Sequence, residues 1–158
     1  MFTKERTIKF LKQYAYPRVF VDLFEDNTLP KNFFIWVGVP EELYVCSEDE
    51  QHSMIPHGYE PLWDDGNFDS IYCYRYSDES IVEVSLEGDE RAYKEPLLFY
   101  AHLIFKAWEC DYHDVIEQWA KALVFPYLCE SLEYFNKTTG DALNEEDYLH
   151  FIEKMKDK

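Results

Sequence analysis

Residues 71–86 constrain the fold more tightly than any other stretch. Ile71 and Cys73 alternate with Tyr72, Tyr74 and Tyr76, the turn Ser77-Asp78-Glu79-Ser80 follows, and Ile81–Leu86 alternates again, with Val82, Val84 and Leu86 opposed to Glu83 and Ser85. Side chains two apart share a face of a strand, and two such runs around a short polar loop close as an antiparallel hairpin. The pattern predicts a hairpin half-buried on one face. Parity groups the three tyrosines, either packed beneath helices or standing as an exposed row. Just upstream, Asp64-Asp65-Gly66-Asn67 is turn chemistry, because Asp and Asn bond nearby backbone amides and Gly accepts positive φ.

On either side of this hairpin the periodicity changes. Thr3 is placed to cap a helix carrying Ile8, Leu11 and Tyr14 or Ala15 on one side, which Pro17 closes. Val19–Phe24 is too short to type, and Asn27–Pro30 reads as a turn. Phe33–Val39 and Leu43–Cys46 are β-rich and flank Pro40-Glu41-Glu42, so a second hairpin is expected there. Glu48–Gly58, polar and holding His52, His57 and Pro56, reads as a loop. Leu97–Cys110 is apolar nearly all round and predicts a buried central helix. Tyr112–Phe125 predicts another, broken at Pro126, and Tyr127–Asn136 a short third that runs toward Gly140. Asn144 caps a last helix, with Glu145, Glu146 and Asp147 in its first turn and Lys154, Lys156 and Lys158 toward its end.

Strands followed by a run of helices define an α+β class: a mainly antiparallel sheet flanked by helices, with extra helices at the C-terminus. At 158 residues one domain is expected over 1–158, with a helical segment 1–28, a strand-rich acidic segment 29–96 and a helical segment 97–158. The hydrophobic share of 47%, with 13 Tyr and 12 Phe, supplies a core and excludes intrinsic disorder. No apolar run is long enough to span a membrane, and Met1–Phe10 lacks the apolar core of a secretory signal, so a cytoplasmic location is expected. Cys46, Cys73, Cys110 and Cys129 form no C-x-x-C pair and read as buried thiols.

The net charge of −17 is unevenly spread. Residues 1–38 carry +2, residues 101–158 carry −6, and residues 39–100 carry 16 acidic against 3 basic side chains, net −13. Such a field repels phosphates and anionic lipid, so neither nucleic acid nor membrane is an expected partner. It attracts and steers a basic protein. The sharpest acidic cluster, Asp65, Asn67 and Asp69, has the first three spacings of a calcium loop, but Ser70 stands where that loop needs Gly and Tyr76 where it needs Glu. His102, Lys106, Glu109, Cys110 and His113 share a helix face without ligand-pair spacing. No cofactor or metal is expected. The five glycines never approach within a phosphate-cradling motif, and no nucleophile sits in a catalytic motif, so no catalytic residue is assigned. Partner binding is assigned to Asp64, Asp65, Asp69, Asp78 and Glu79, on the turns at opposite ends of the hairpin.

Tyr59–Tyr74, with Pro61-Leu62-Trp63-Asp64-Asp65-Gly66-Asn67-Phe68-Asp69 at its centre, resembles the SUKH (Smi/Knr-like) superfamily, whose members carry a P-L-x-x-D-G-x-x-D turn leading into a central strand. Leu29-Pro30-x-x-Phe33 is similar to the L-P-x-x-[FY] segment of that family. The likeness spans residues 29–110; residues 112–158 add helices beyond the family pattern. It implies an α+β domain and a non-catalytic binding role: toxin-neutralising immunity proteins in bacteria, cell-wall synthesis regulators in fungi. Two further readings stand beside immunity: a regulatory or scaffolding interaction module, and an enzyme whose residues the sequence does not identify.

Overall fold

The structure, a computed structural model, describes residues 1–158. Four strands, β1 (Tyr59–Asp64), β2 (Ser70–Arg75), β3 (Ser80–Ser85) and β4 (Glu90–Tyr93), pair antiparallel in chain order. With eight α-helices they make the α+β fold that the residue pattern predicts. The chain divides into two compact units, Met1–Glu95 and Pro96–Lys158. No helix is long and apolar enough to cross a membrane.

The expected hairpin is β2–β3, with Cys73 opposite Val82 and Tyr72 opposite Glu83. It departs from expectation in one respect: β2 is buried on both faces. On one face Ile71, Cys73, Val82 and Val84 join Phe2, Leu43 and Ile55 in an apolar cluster. On the other, Trp63 of β1 lies opposite Tyr72, and Glu60 opposite Tyr74. An aromatic row on one face and aliphatic residues on the other supply two apolar surfaces where strict alternation suggests one. Leu86 lies past the end of β3 and is exposed. The register of β1 slips between Pro61 and Trp63, leaving Leu62 as a bulge.

Two helices cover the aromatic face of unit 1. In α1 (Lys4–Gln13) the Thr3 hydroxyl accepts from the Arg6 amide, as the cap predicts, and Phe10 and Leu11 are buried. Phe10 meets Tyr74 edge-on and Tyr14 packs at 5.1 Å from the same ring. Thus Tyr74 and Tyr76 pack against Phe10 of the N-terminal helix, Tyr72 lies opposite Trp63, and only Tyr76 of the three is exposed. The untyped segment is α2 (Arg18–Phe24), whose Phe20 stacks on Trp63 at 4.1 Å.

Residues 33–58 differ from expectation. Phe33–Ile35 is a turn of 3-10 helix, α3 (Glu41–Tyr44) replaces the second hairpin strand, and α4 (Glu48–Met54) replaces the loop. The reasons are local. Pro40 precedes two acidic residues, a combination suited to the positive end of a helix. Ser47 and Glu50 close a capping box, each side chain bonding the other's backbone amide. Gln51, fully buried, then ties Phe2 and Leu43 together through its side-chain amide.

Unit 2 is helical. The expected buried helix is α5 (Pro96–Glu109), with every residue from Leu98 to Phe105 buried. The Tyr112–Phe125 pattern yields only α6 (Ile116–Ala122); α7 (Leu128–Lys137) and α8 (Glu145–Lys156) follow. Asn144 caps α8 by accepting from the Asp147 amide at 2.9 Å. Phe105 of α5 stacks on Tyr148 of α8, whose hydroxyl bonds Ser131 of α7. Burial of all four thiols is corrected: Cys73 alone is buried, and Cys129 is exposed.

Candidate functional site

The β1–β2 loop is built by side chains folding back on their own backbone. Asp64 Oδ1 accepts from the Gly66 amide at 2.8 Å, and Asp65 Oδ1 accepts from the amides of Asn67 and Asp69, both at 3.1 Å. Gly66 and Phe68 adopt positive φ. The loop is pinned to the segment before α3. Gly38 and Asp64 exchange two backbone hydrogen bonds, at 2.9 and 3.2 Å. A side chain on Gly38 would collide with the Asp64 carboxylate, and one on Gly66 with the carbonyl of Ile35. Close approach requires glycine at both positions, and the positive φ of Gly66 requires it there as well.

This packing puts Phe34 and Ile35 beside the acidic loop, 62% and 38% exposed. An exposed apolar pair next to carboxylates is anchor-and-rim chemistry for a protein partner. Residue reading missed the pair because it assigned 33–39 to a strand, in which alternate side chains turn inward; the left-handed Asn32 that starts the 3-10 turn was the available signal.

Next to the loop is a cavity of about 210 Å³ lined by Glu41, Glu42, Asp64, Asn67 and their neighbours. Asp64 is 5% exposed. Burial, then the charges of Asp65 and Glu42, push its carboxyl up to about 6 against the Gly66 hydrogen bond. Asp64, assigned to partner binding from the sequence, is therefore a buried carboxylate, whereas Asp69 in the same loop is exposed.

The five predicted partner residues are not brought together. Asp64, Asp65 and Asp69 share the β1–β2 loop, whereas Asp78 and Glu79 lie beyond the other end of β2, six residues and roughly 20 Å away. Asp78 is held by Arg75 in a two-pronged ion pair of 2.7 and 2.9 Å, which keeps its carboxyl well below the usual range. Glu79 is exposed, in left-handed backbone. Near that end, buried Glu60 takes both prongs of Arg6, at 2.6 and 2.7 Å, and the Tyr76 hydroxyl at 3.2 Å.

Across residues 39–100 most carboxylates reach solvent. Glu42, Asp49, Asp69, Glu79, Glu87 and Asp89 are exposed without a cation at ion-pair distance, while Glu41 and Glu48 meet Lys4 and the N-terminus. In comparisons with known proteins, no family model matches the chain, and neither a curated protein nor a solved structure matches it.

Proposed function

We propose that this chain is a non-catalytic intracellular binding protein of immunity type, which neutralises a basic effector by covering it with an acidic surface. The supporting observation is the set of exposed, unneutralised carboxylates of residues 39–100, together with the exposed Phe34–Ile35 pair beside the β1–β2 loop that carries Asp69. Uncompensated charge steers a cationic partner and sets its association rate, while a desolvated aromatic at the centre supplies holding energy. The resemblance of Leu29–Phe33 and Tyr59–Tyr74 to the SUKH superfamily adds to this reading. These segments adjoin in the fold, since Phe33 and Trp63 both meet Phe20. On this reading the contact centres on Asp65 and Asp69, with Asp78 and Glu79 at its periphery.

The test is calorimetric titration against a purified cationic effector domain encoded beside this chain's gene. Affinity should weaken at least tenfold between 50 and 300 mM salt, and Phe34→Ala should weaken it at every salt concentration. Absence of binding at 50 mM salt refutes the proposal. Binding indifferent to salt points instead to a regulatory interaction module.

A further inference from the structure

We propose that the groove at the C-terminal end of α6 is a self-association surface, on which a second copy of this chain docks about a two-fold axis with the two α6 helices antiparallel. The groove encloses about 450 Å³ and lies wholly within unit 2. Ala120, Val124, Phe125 and Pro126 make it apolar, and the exposed Glu117 and Lys121 line it as well. Charge is the first feature that selects an occupant. Glu117 and Lys121 stand one turn apart on one face of α6, in the order that favours an ion pair within the helix. Glu133 and Lys137, at the same spacing in α7, make that pair at 3.3 Å. Neither Glu117 nor Lys121 makes an ion pair within the chain. A basic segment laid in the groove gains from Glu117 and loses against Lys121, and an acidic segment does the reverse. A surface carrying the same two charges in reverse order answers both. Across a two-fold axis, Glu117 of each copy faces Lys121 of the other.

The second feature is Val124. It is 75% exposed and holds left-handed backbone at φ 54°, where glycine is relaxed and a β-branched residue is not. That strain costs the fold and gains little packing inside the chain, and strain of this kind clusters at functional contacts. In the dimer the isopropyl group becomes the apolar knob that fills the facing copy's groove, at the centre of the contact, with the two cross-pairs of charge at its rim. All of these residues lie outside 39–100, so the inference does not depend on the acidic-surface reading.

The experiment is sedimentation equilibrium of the full chain from about 2 to 500 µM, at pH 7.5 and about 200 mM salt, which screens the net repulsion between two acidic chains. The mass should climb from 19.0 kDa toward twice that value as concentration rises. Val124→Gly removes the knob and relieves the backbone, so it should weaken dimerisation by about tenfold or more while the urea midpoint does not fall. Lys121→Glu and Glu117→Lys should each weaken it to a similar extent by setting like charges opposite one another. An equimolar mixture of those two variants should associate again, because each now complements the other at both positions. A chain that stays at 19.0 kDa up to 500 µM overturns the proposal and leaves the groove to a foreign partner. Dimerisation unaltered by Val124→Gly and Lys121→Glu places the contact on another face and overturns it too. So does a mixture of the two charge variants that remains monomeric.

Discussion

At the scale of single residues, Asp64 and Glu60 are two buried carboxylates with opposite provision. Glu60 has a full complement: a forked guanidinium and a phenol. Removing Arg6 leaves that charge almost alone, so Arg6→Ala should cost about 3 kcal/mol in urea unfolding, and adding Glu60→Gln should restore more than half. Asp64 has one backbone amide and no cation. Its folded value of about 6 lies above the unfolded 3.8. Between about pH 4 and 6 the native state therefore holds a proton that the unfolded chain releases, and stability falls as pH rises through that window. Asp64→Asn should be more stable than the parent by about 1–2 kcal/mol at pH 7.5, with the gain vanishing near pH 4. A gain that is constant with pH would mean that the carboxylate is well solvated. The acidity of this loop was legible in the sequence, and so were its turns. Its burial was not, because it depends on Gly38 and Ile35, which meet the loop only after the chain returns from α4.

At the scale of elements, the helix ends explain what the sequence concealed. Helices α1, α2, α5 and α6 all stop in the same way. The residue two past the last helical one is left-handed, and the next amide reaches back to a carbonyl five residues earlier: Tyr16 to Leu11, Asn27 to Asp22, Tyr112 to Ala107 and Phe125 to Ala120. Glycine is the usual occupant of such a position, yet here it is Ala15, Asp26, Asp111 and Val124. Without the glycine signal the end of α2 could not be read, and the α6 pattern ran on to Phe125. The starts were legible wherever a side chain capped them, as at Thr3 and Asn144, and Ser47-x-x-Glu50 carried the same signature inside a segment assigned to a loop. A β-branched residue in left-handed backbone is strained, and Val124 is 75% exposed with little packing to lose. Val124→Gly should thus raise stability by about 1 kcal/mol, seen as a higher urea midpoint with an unchanged slope. Ser47→Ala should lower it by about 1 kcal/mol through loss of the α4 cap.

At the scale of the whole molecule, the α+β class followed from periodicity, since the runs of period two stay together in one stretch and runs of period 3.6 lie on either side of it, and the structure keeps its four strands contiguous between α4 and α5. Charge acts over longer distances than periodicity and has two consequences of opposite sign. A chain with 32 acidic and 15 basic side chains repels itself when folded, most strongly where −13 is concentrated in residues 39–100. Ion pairs such as Lys12–Glu25 and Arg18–Asp22 lie in the first 38 residues and relieve little of that excess. Raising salt from about 10 mM to 200 mM shortens the screening length from about 30 Å to less than 8 Å, below the spacing of the two turn clusters. The protein alone should then become more stable, with a thermal midpoint higher by a few degrees, equivalent to about 1 kcal/mol for a chain of this size. Its affinity for a polycation should fall over the same range. The paired measurement is decisive because ordinary salt-bridge stabilisation predicts the reverse for the free protein. A midpoint that drops with salt would show that the carboxylates are balanced where they stand, leaving no excess field for a basic partner to answer.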